Sequence, residues 1–183
     1  MDTEWIVTEI DGKVASIAAD YRHFAGIAAK IARGNPRAVG SVCTRKISTA
    51  DLVALSDRLS WEDLRLFGSK FQVSVWKALF DLSHGDGKPR LLSYSDFAAL
   101  AGNAPGVRAV AHAVAINPVA YVIPCHLVIP KESIDKGREI HSAAVETTLF
   151  RGDDLYLLDT IDVGDYAYGS AIKRELIKIQ LGK

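Results

Sequence analysis

The residue pair with the clearest chemical capacity is Cys125-His126, held after Pro124 at the end of the apolar run Val119 to Ile123. An imidazole next to a thiol can take its proton, directly or through a water, and the thiolate is the nucleophile. A thiol hydrolase or a redox centre is one use of such a pair; a protease-like triad would also need an orienting Asn or Asp. The other cysteine, Cys43, reads as a small hydrophobe or a loop thiol. Two cysteines make neither a disulfide framework nor a four-cysteine zinc site, and Cys43 has no Cys or His at zinc spacing. No metal and no cofactor is expected.

The elements that must position this pair can be read in order. Trp5 to Ile10 and Lys13 to Ala18 are apolar runs joined by Asp11-Gly12, a hairpin signal. A helix is expected from Asp20 to Ala32, loop over residues 35–46, and a helix from Ser48 to Leu66. Gly68-Ser69 then marks a boundary. Phe71, Val75, Leu79 and Leu82 form a stripe at helical spacing. After a Gly- and Pro-containing loop, Ser93 and Asp96 fit a capping box, with Asp96 reaching back to the Ser93 amide. Gly102 ends that short helix, and Asn103 caps the next, with Pro105 in its first turn.

The helix from Ala104 to Ile116 has Val107, Val110 and Val114 as a core stripe and Arg108, Ala111, His112 and Ala115 on the adjoining face. Two helices joined by a tight turn, with one arginine on a small-residue face, fit a helix-turn-helix; a helix packed among neighbours would also use small residues. Val119 to Ile123 reads as a strand, residues 131–142 as loop, Ala143 to Arg151 as helix and Tyr156 to Ile161 as strand. Ser170 to Gln180 reads as an amphipathic helix that buries Ile172, Leu176 and Ile179.

Taken together, Phe71-Gln72-Val73-Ser74-Val75-Trp76-Lys77-Ala78-Leu79, Ser93-Tyr94, Ala98 to Asn103, Arg108-Ala109-Val110, Asn117-Pro118 and Ile123 to Val128 closely resemble the O6-alkylguanine-DNA alkyltransferases, or methylated-DNA–protein-cysteine methyltransferases. The resemblance covers residues 68–130; residues 1–67 match only in gross layout, and the match beyond residue 130 is poor. It implies an α+β chain: an N-terminal α/β domain over 1–68, a helical, winged-helix-like DNA-binding domain over 69–154, and a C-terminal extension over 155–183. It also implies DNA repair by a single-turnover enzyme. An alkyl group passes from guanine O6 in double-stranded DNA to Cys125 and stays there, after the base is flipped out of the stack.

By the same resemblance His126 is the base acting through water, Tyr94 supplies a proton toward guanine N3, and Asn117 supports the turn before the active-site segment. Arg108 fills the space the base leaves. Ser93, Tyr94, Asn103, Arg108, Ala109 and Ala111 face DNA, while Pro124 and the Val128 carbonyl line the base pocket. Three departures stand out: Leu127 replaces the family's Arg, the glycine-rich loop is not recognisable over residues 131–142, and the Glu that orients the histidine is missing. Asp153 is the candidate replacement, with Glu146 the weaker one. A lesion sensor that flips damaged bases without transferring the group is the alternative reading.

Charge and hydropathy restrict the partners of the chain. The chain has 183 residues and balances 22 Lys+Arg against 22 Asp+Glu. Between residues 71 and 130, Lys77, Lys88, Arg90 and Arg108 stand against Asp81, Asp86 and Asp96, a surplus of one positive charge. Phosphate neutralisation dominates nonspecific DNA affinity, so binding of the scanning type is expected. The apolar region from Ala109 to Ile129 is broken by His112, Asn117, Pro118, Pro124 and His126, and a membrane span needs about 20 apolar residues. No signal peptide is read at the start. A monomer in the cytoplasm, or in the nucleus of a eukaryote, is the expectation.

Overall fold

The computed structural model describes residues 3–19, 40–85, 88–142 and 158–182. The helix expected from Asp20 to Ala32, and the one from Ala143 to Arg151, lie outside the described residues. The chain divides into two compact units. One comprises residues 1–77 with 116–123; the other comprises 78–115 with 124–183.

In the first unit, strands β1 (Trp5–Ile10) and β2 (Lys13–Ala18) have the bounds read from the sequence. Asp11 and Gly12 turn between them with φ of 52° and 76°, the left-handed pair that a two-residue hairpin with the twist of its strands requires. A third strand, β3 (Val42–Ile47), pairs antiparallel with β1 where loop was expected, giving the order β2-β1-β3. Residues 42–46 are all exposed, so this strand carries no alternating apolar pattern; backbone pairing and the Arg45–Glu9 and Lys46–Glu4 ion pairs hold it. Ser48 caps α1 (Thr49–Ser56) by accepting from the Asp51 amide at 3.1 Å. That helix ends well before Leu66, and a separate 3-10 turn follows at Trp61–Asp63. Trp5, buried in β1, donates its indole N–H to Thr49 Oγ1 at 3.1 Å.

Residues 117–123 also belong to this unit. Instead of a continuous strand they form a tight, buried turn, with Tyr121 at φ 70° and single bridges from Ile17 to Val119 and from Ala120 to Ile123. Asn117 organises it. Its Nδ2 donates to the Ile123 carbonyl at 2.7 Å, and its Oδ1 accepts from the Val119 amide at 3.0 Å.

Helix α2 (Lys70–His84) crosses the boundary between the units; Val75, Leu79 and Trp76 are buried, whereas Phe71 at its start is 38% exposed. In the second unit, β4 (Leu92–Ser93) leads into α3 (Tyr94–Leu100), a 3-10 turn at Ala104–Gly106 and α4 (Val107–Ala115). Asn103 makes no side-chain cap, and the expected Ala104–Ile116 helix therefore opens as a 3-10 turn. Gly102, at φ 75°, makes the bend between the helices. Val110, Ala113 and Val114 are buried, and Arg108, Ala109, His112 and Ala115 are exposed.

Residues 131–142, expected as loop, form helix α5 (Lys131–Ser142). Its polar composition hid it. The Pro130 carbonyl starts it by accepting from the Ser133 and Ile134 amides, and Ser133, Ile134 and Gly137 are buried. Residues 158–160 are a helical turn and not part of a strand. Helix α6 (Ser170–Leu181) has the expected span, but its buried face is Lys173, Leu176, Ile177 and Gln180. Leu158, Ile161, Val163 and Ile177 join Leu91, Leu127, Ile129 and Ile134 in one apolar cluster. Burying such side chains contributes roughly 1.5–3 kcal/mol each, so the C-terminal segment is an integral part of this unit's core.

Candidate active site

Cys125, His126 and Leu127 form a 3-10 turn closed by the Leu127 amide on the Pro124 carbonyl at 3.0 Å. The turn runs directly into β5 (Val128–Ile129), which pairs in parallel with β4, Leu92 opposite Val128 and Ser93 opposite Ile129. That short ladder brings the start of α3 to the cysteine. Ser93 is fully buried and caps α3, accepting from the Asp96 amide at 3.1 Å. The other half of the expected box differs: the Asp96 carboxylate accepts from the Ser93 hydroxyl at 2.7 Å. Tyr94 is the next residue. Burial pushes its phenol above the ordinary value, and negative charge on Cys125 and Asp165 pushes the same way. It therefore stays protonated near neutral pH, as a hydrogen-bond donor must.

The thiol of Cys125 is only 9% exposed and donates to the Tyr166 hydroxyl at 3.9 Å. Tyr166 is also held above the ordinary phenol range, first by burial and then by negative charge on Cys125. Its ring stands edge-on to Tyr168, with centroids 5.4 Å apart. Behind the cysteine turn lies Lys173 of α6, 1% exposed. Its Nζ donates to the Val128 carbonyl at 3.0 Å and to the Asp165 carbonyl at 3.4 Å. Burial lowers the lysine to about 8, against the opposing pull of Cys125, Asp162 and Asp165. Gly164, at φ 75°, permits the close approach here: a Cβ on it would meet Pro130 Cδ at 2.9 Å.

His126 is completely buried. Burial is the main cause that drives its imidazole down to about 3, and the Lys173 charge adds to it. The Gln180 side chain beside it works in the opposite direction. The imidazole is therefore neutral near pH 7, and its neighbour on α6 is an amide.

Of the residues singled out in the sequence, Tyr94, Pro124, Cys125, His126 and Val128 come together in this unit. Arg108 and Ala109 lie exposed on α4, Ala111 and Asn103 are half-buried, and Ser93 is committed to its cap. Asn117 is engaged in the turn of the first unit. Asp153 and Glu146 lie outside the described residues. Lys173, Gln180 and Tyr166 were not foreseen. Lys173 and Gln180 sit at i and i+7 around Leu176 and Ile177, a spacing that marks one helix face whatever the polarity of its ends.

Residues 70–149 match the family model described as 6-O-methylguanine DNA methyltransferase, DNA binding domain. The resemblance to the alkyltransferase family holds over this stretch. A probable methylated-DNA–protein-cysteine methyltransferase of Acanthamoeba polyphaga mimivirus is 43% identical over 77 residues, covering 42% of this chain and 48% of the viral protein. The chain thus spans about half the length of that alkyltransferase. The methylated-DNA–protein-cysteine methyltransferase of Kluyveromyces lactis is 26% identical over 140 residues, covering 68% of this chain and 71% of the yeast protein. Among solved structures, the O6-methylguanine-DNA methyltransferase of the archaeon Pyrococcus kodakaraensis superposes with a TM-score of 0.56 at 20% identity, over 97% of this chain and 91% of the archaeal one. That likeness shows that the chain has the same α+β fold as the archaeal protein. Among the described residues, no helix is long and apolar enough to cross a membrane.

Proposed function

We propose that this chain repairs double-stranded DNA by moving an alkyl group from guanine O6 to Cys125. The observation that carries the reading is the β4·β5 ladder, which joins the Tyr94 end of a helix-turn-helix to the Cys125-His126 turn. Arg108, exposed on the small-residue face of α4, fills the stack when the base leaves it. Asn103, Ala109 and Ala111 lie along the same approach, with Ser93 holding the helix start. Pro124 and the Val128 carbonyl wall the pocket. That carbonyl has two lone pairs, so it can accept from a base amino group while also receiving Lys173.

In the reaction the Cys125 sulfur bonds to the alkyl carbon as the carbon–O6 bond breaks. The electron pair leaves on guanine, and the Tyr94 hydroxyl hydrogen-bonds at N3 to ease that departure. The departing guanine takes up one proton, which balances the one that the sulfur gives up, and His126 stands on the water route between them. Water does not cleave the resulting thioether, so each protein acts once. The chain works as a monomer, in the cytoplasm or nucleus where DNA is found.

Incubation with a duplex carrying O6-methylguanine should add one methyl per protein, mapped by peptide mass to Cys125. A methyl elsewhere, or product exceeding protein in amount, would sink the reading. Tight lesion binding without any mass change would instead support a sensor.

A further inference from the structure

We propose that Lys173 is the cation that holds Cys125 as a thiolate, the part usually given to a histidine paired with a carboxylate. Its ammonium is buried behind the cysteine turn, fixed on the backbone carbonyl of Val128 at 3.0 Å and on that of Asp165 at 3.4 Å. It is the one basic side chain buried among the described residues apart from His126 itself. A fixed, desolvated cation acts far more strongly on a neighbouring charge than a solvated one.

The groups around the sulfur can be taken element by element. On its own turn stands His126, neutral, with Gln180 beside it. Gln180 has no charge with which to stabilise an imidazolium, and an imidazolium would face the Lys173 ammonium at close quarters. From α3 comes the Tyr94 phenol, and from the turn before α6 the Tyr166 phenol, both neutral donors. When the thiol ionises, the 3.9 Å contact with Tyr166 reverses, and the phenol donates to sulfur. From α6 comes Lys173, and it alone brings positive charge.

Lys173 in turn faces Asp162 and Asp165, which favour its charged form as Cys125 does. The interaction is reciprocal: a thiolate keeps the proton on lysine, and by the same coupling the lysine keeps the proton off the thiol. The proton leaves the sulfur for solvent or guanine, and Lys173 keeps its own. Lys173 is thus a positioning residue acting on the nucleophile through charge.

This inference rests on the alkyl-transfer reading for its purpose, but its test needs no DNA. In a Cys43→Ser background, which removes the exposed second thiol, the rate of Cys125 carboxamidomethylation by iodoacetamide is followed against pH. Lys173→Met should move the midpoint upward by more than one pH unit and slow the reaction at pH 7 on the order of tenfold or more. Lys173→Arg should recover part of the low midpoint, which a purely structural role would not explain. His126→Gln should move the midpoint far less than Lys173→Met. Adding Gln180→Glu to Lys173→Met should bring it back down, by giving the imidazole a carboxylate. An unchanged midpoint in Lys173→Met, or a larger movement in His126→Gln, overturns the proposal. Should Lys173→Met not fold, the His126→Gln and Lys173→Arg profiles still decide it. A low midpoint that Lys173→Met raises, in a protein that takes no methyl from DNA, would mark the failure of the repair reading alone.

Discussion

Replacing His126 by glutamine should flatten the acid side of the protein's stability profile. In the folded chain, burial and the Lys173 charge hold the imidazole at about 3, against an ordinary value of 6.5. Below pH 6.5 the unfolded chain takes up a proton that the folded chain refuses until about pH 3. Stability is therefore complete above pH 6.5 and falls as pH drops through that window, at about 1.4 kcal/mol per pH unit. Between pH 6.5 and 5 the histidine alone costs about 2 kcal/mol. With a urea dependence of about 2 kcal/mol/M, the midpoint should drop by about 1 M over that range. Urea titrations of both proteins at pH 7.5, 6.5, 5.5 and 5 measure the difference directly. The variant's own baseline stability drops out, because only the slopes are compared. Equal slopes in the two proteins would show that His126 is protonated, or reached by water, in the folded state.

Two further outcomes follow from single side chains. Asn117→Ala removes the hydrogen bonds to the Ile123 carbonyl and from the Val119 amide, leaving both without that partner in a buried turn. It should cost about 2–4 kcal/mol in urea unfolding, and a loss below about 1 kcal/mol would mean the turn holds without it. Arg108→Ala should leave folding within about 0.5 kcal/mol, since the side chain is exposed. It should weaken base flipping, reported by a fluorescent base analogue opposite the lesion, more than overall DNA binding; equal losses would contradict the wedge role.

The parts of the molecule legible in the sequence are those whose signals are local. Asp11-Gly12 between two apolar runs specifies the hairpin, and Ser93, Gly102 and the valines of α4 specify the helix-turn-helix. Pro124-Cys125-His126 is visible as chemistry from residue type alone. Strand β3 escaped because both its faces are exposed, so pairing with β1 leaves no trace in hydrophobic periodicity. Helix α5 escaped because few of its side chains are apolar. The most consequential miss is on α6. Counting apolar residues selects Ile172, Leu176 and Ile179, whereas the buried face turns toward Lys173 and Gln180. The Val128 carbonyl that Lys173 reaches is a partner 45 residues away, which local spacing does not show.

The same distances have a consequence in time. The contacts that enclose Cys125 join residues 41 and 45 positions apart, whereas the β1–β2 hairpin closes across two residues. Hairpins of that kind form in roughly 1–10 μs, and pairings between remote segments come later because the intervening chain must first be ordered. During folding the nucleophilic sulfur thus spends an interval as an ordinary solvent-facing thiol, with its tyrosine and lysine not yet docked. Oxidants or electrophiles present in that interval meet an unshielded sulfur. A pulse of thiol reagent applied at successive times during refolding would map that interval, with the exposed Cys43 as its internal clock.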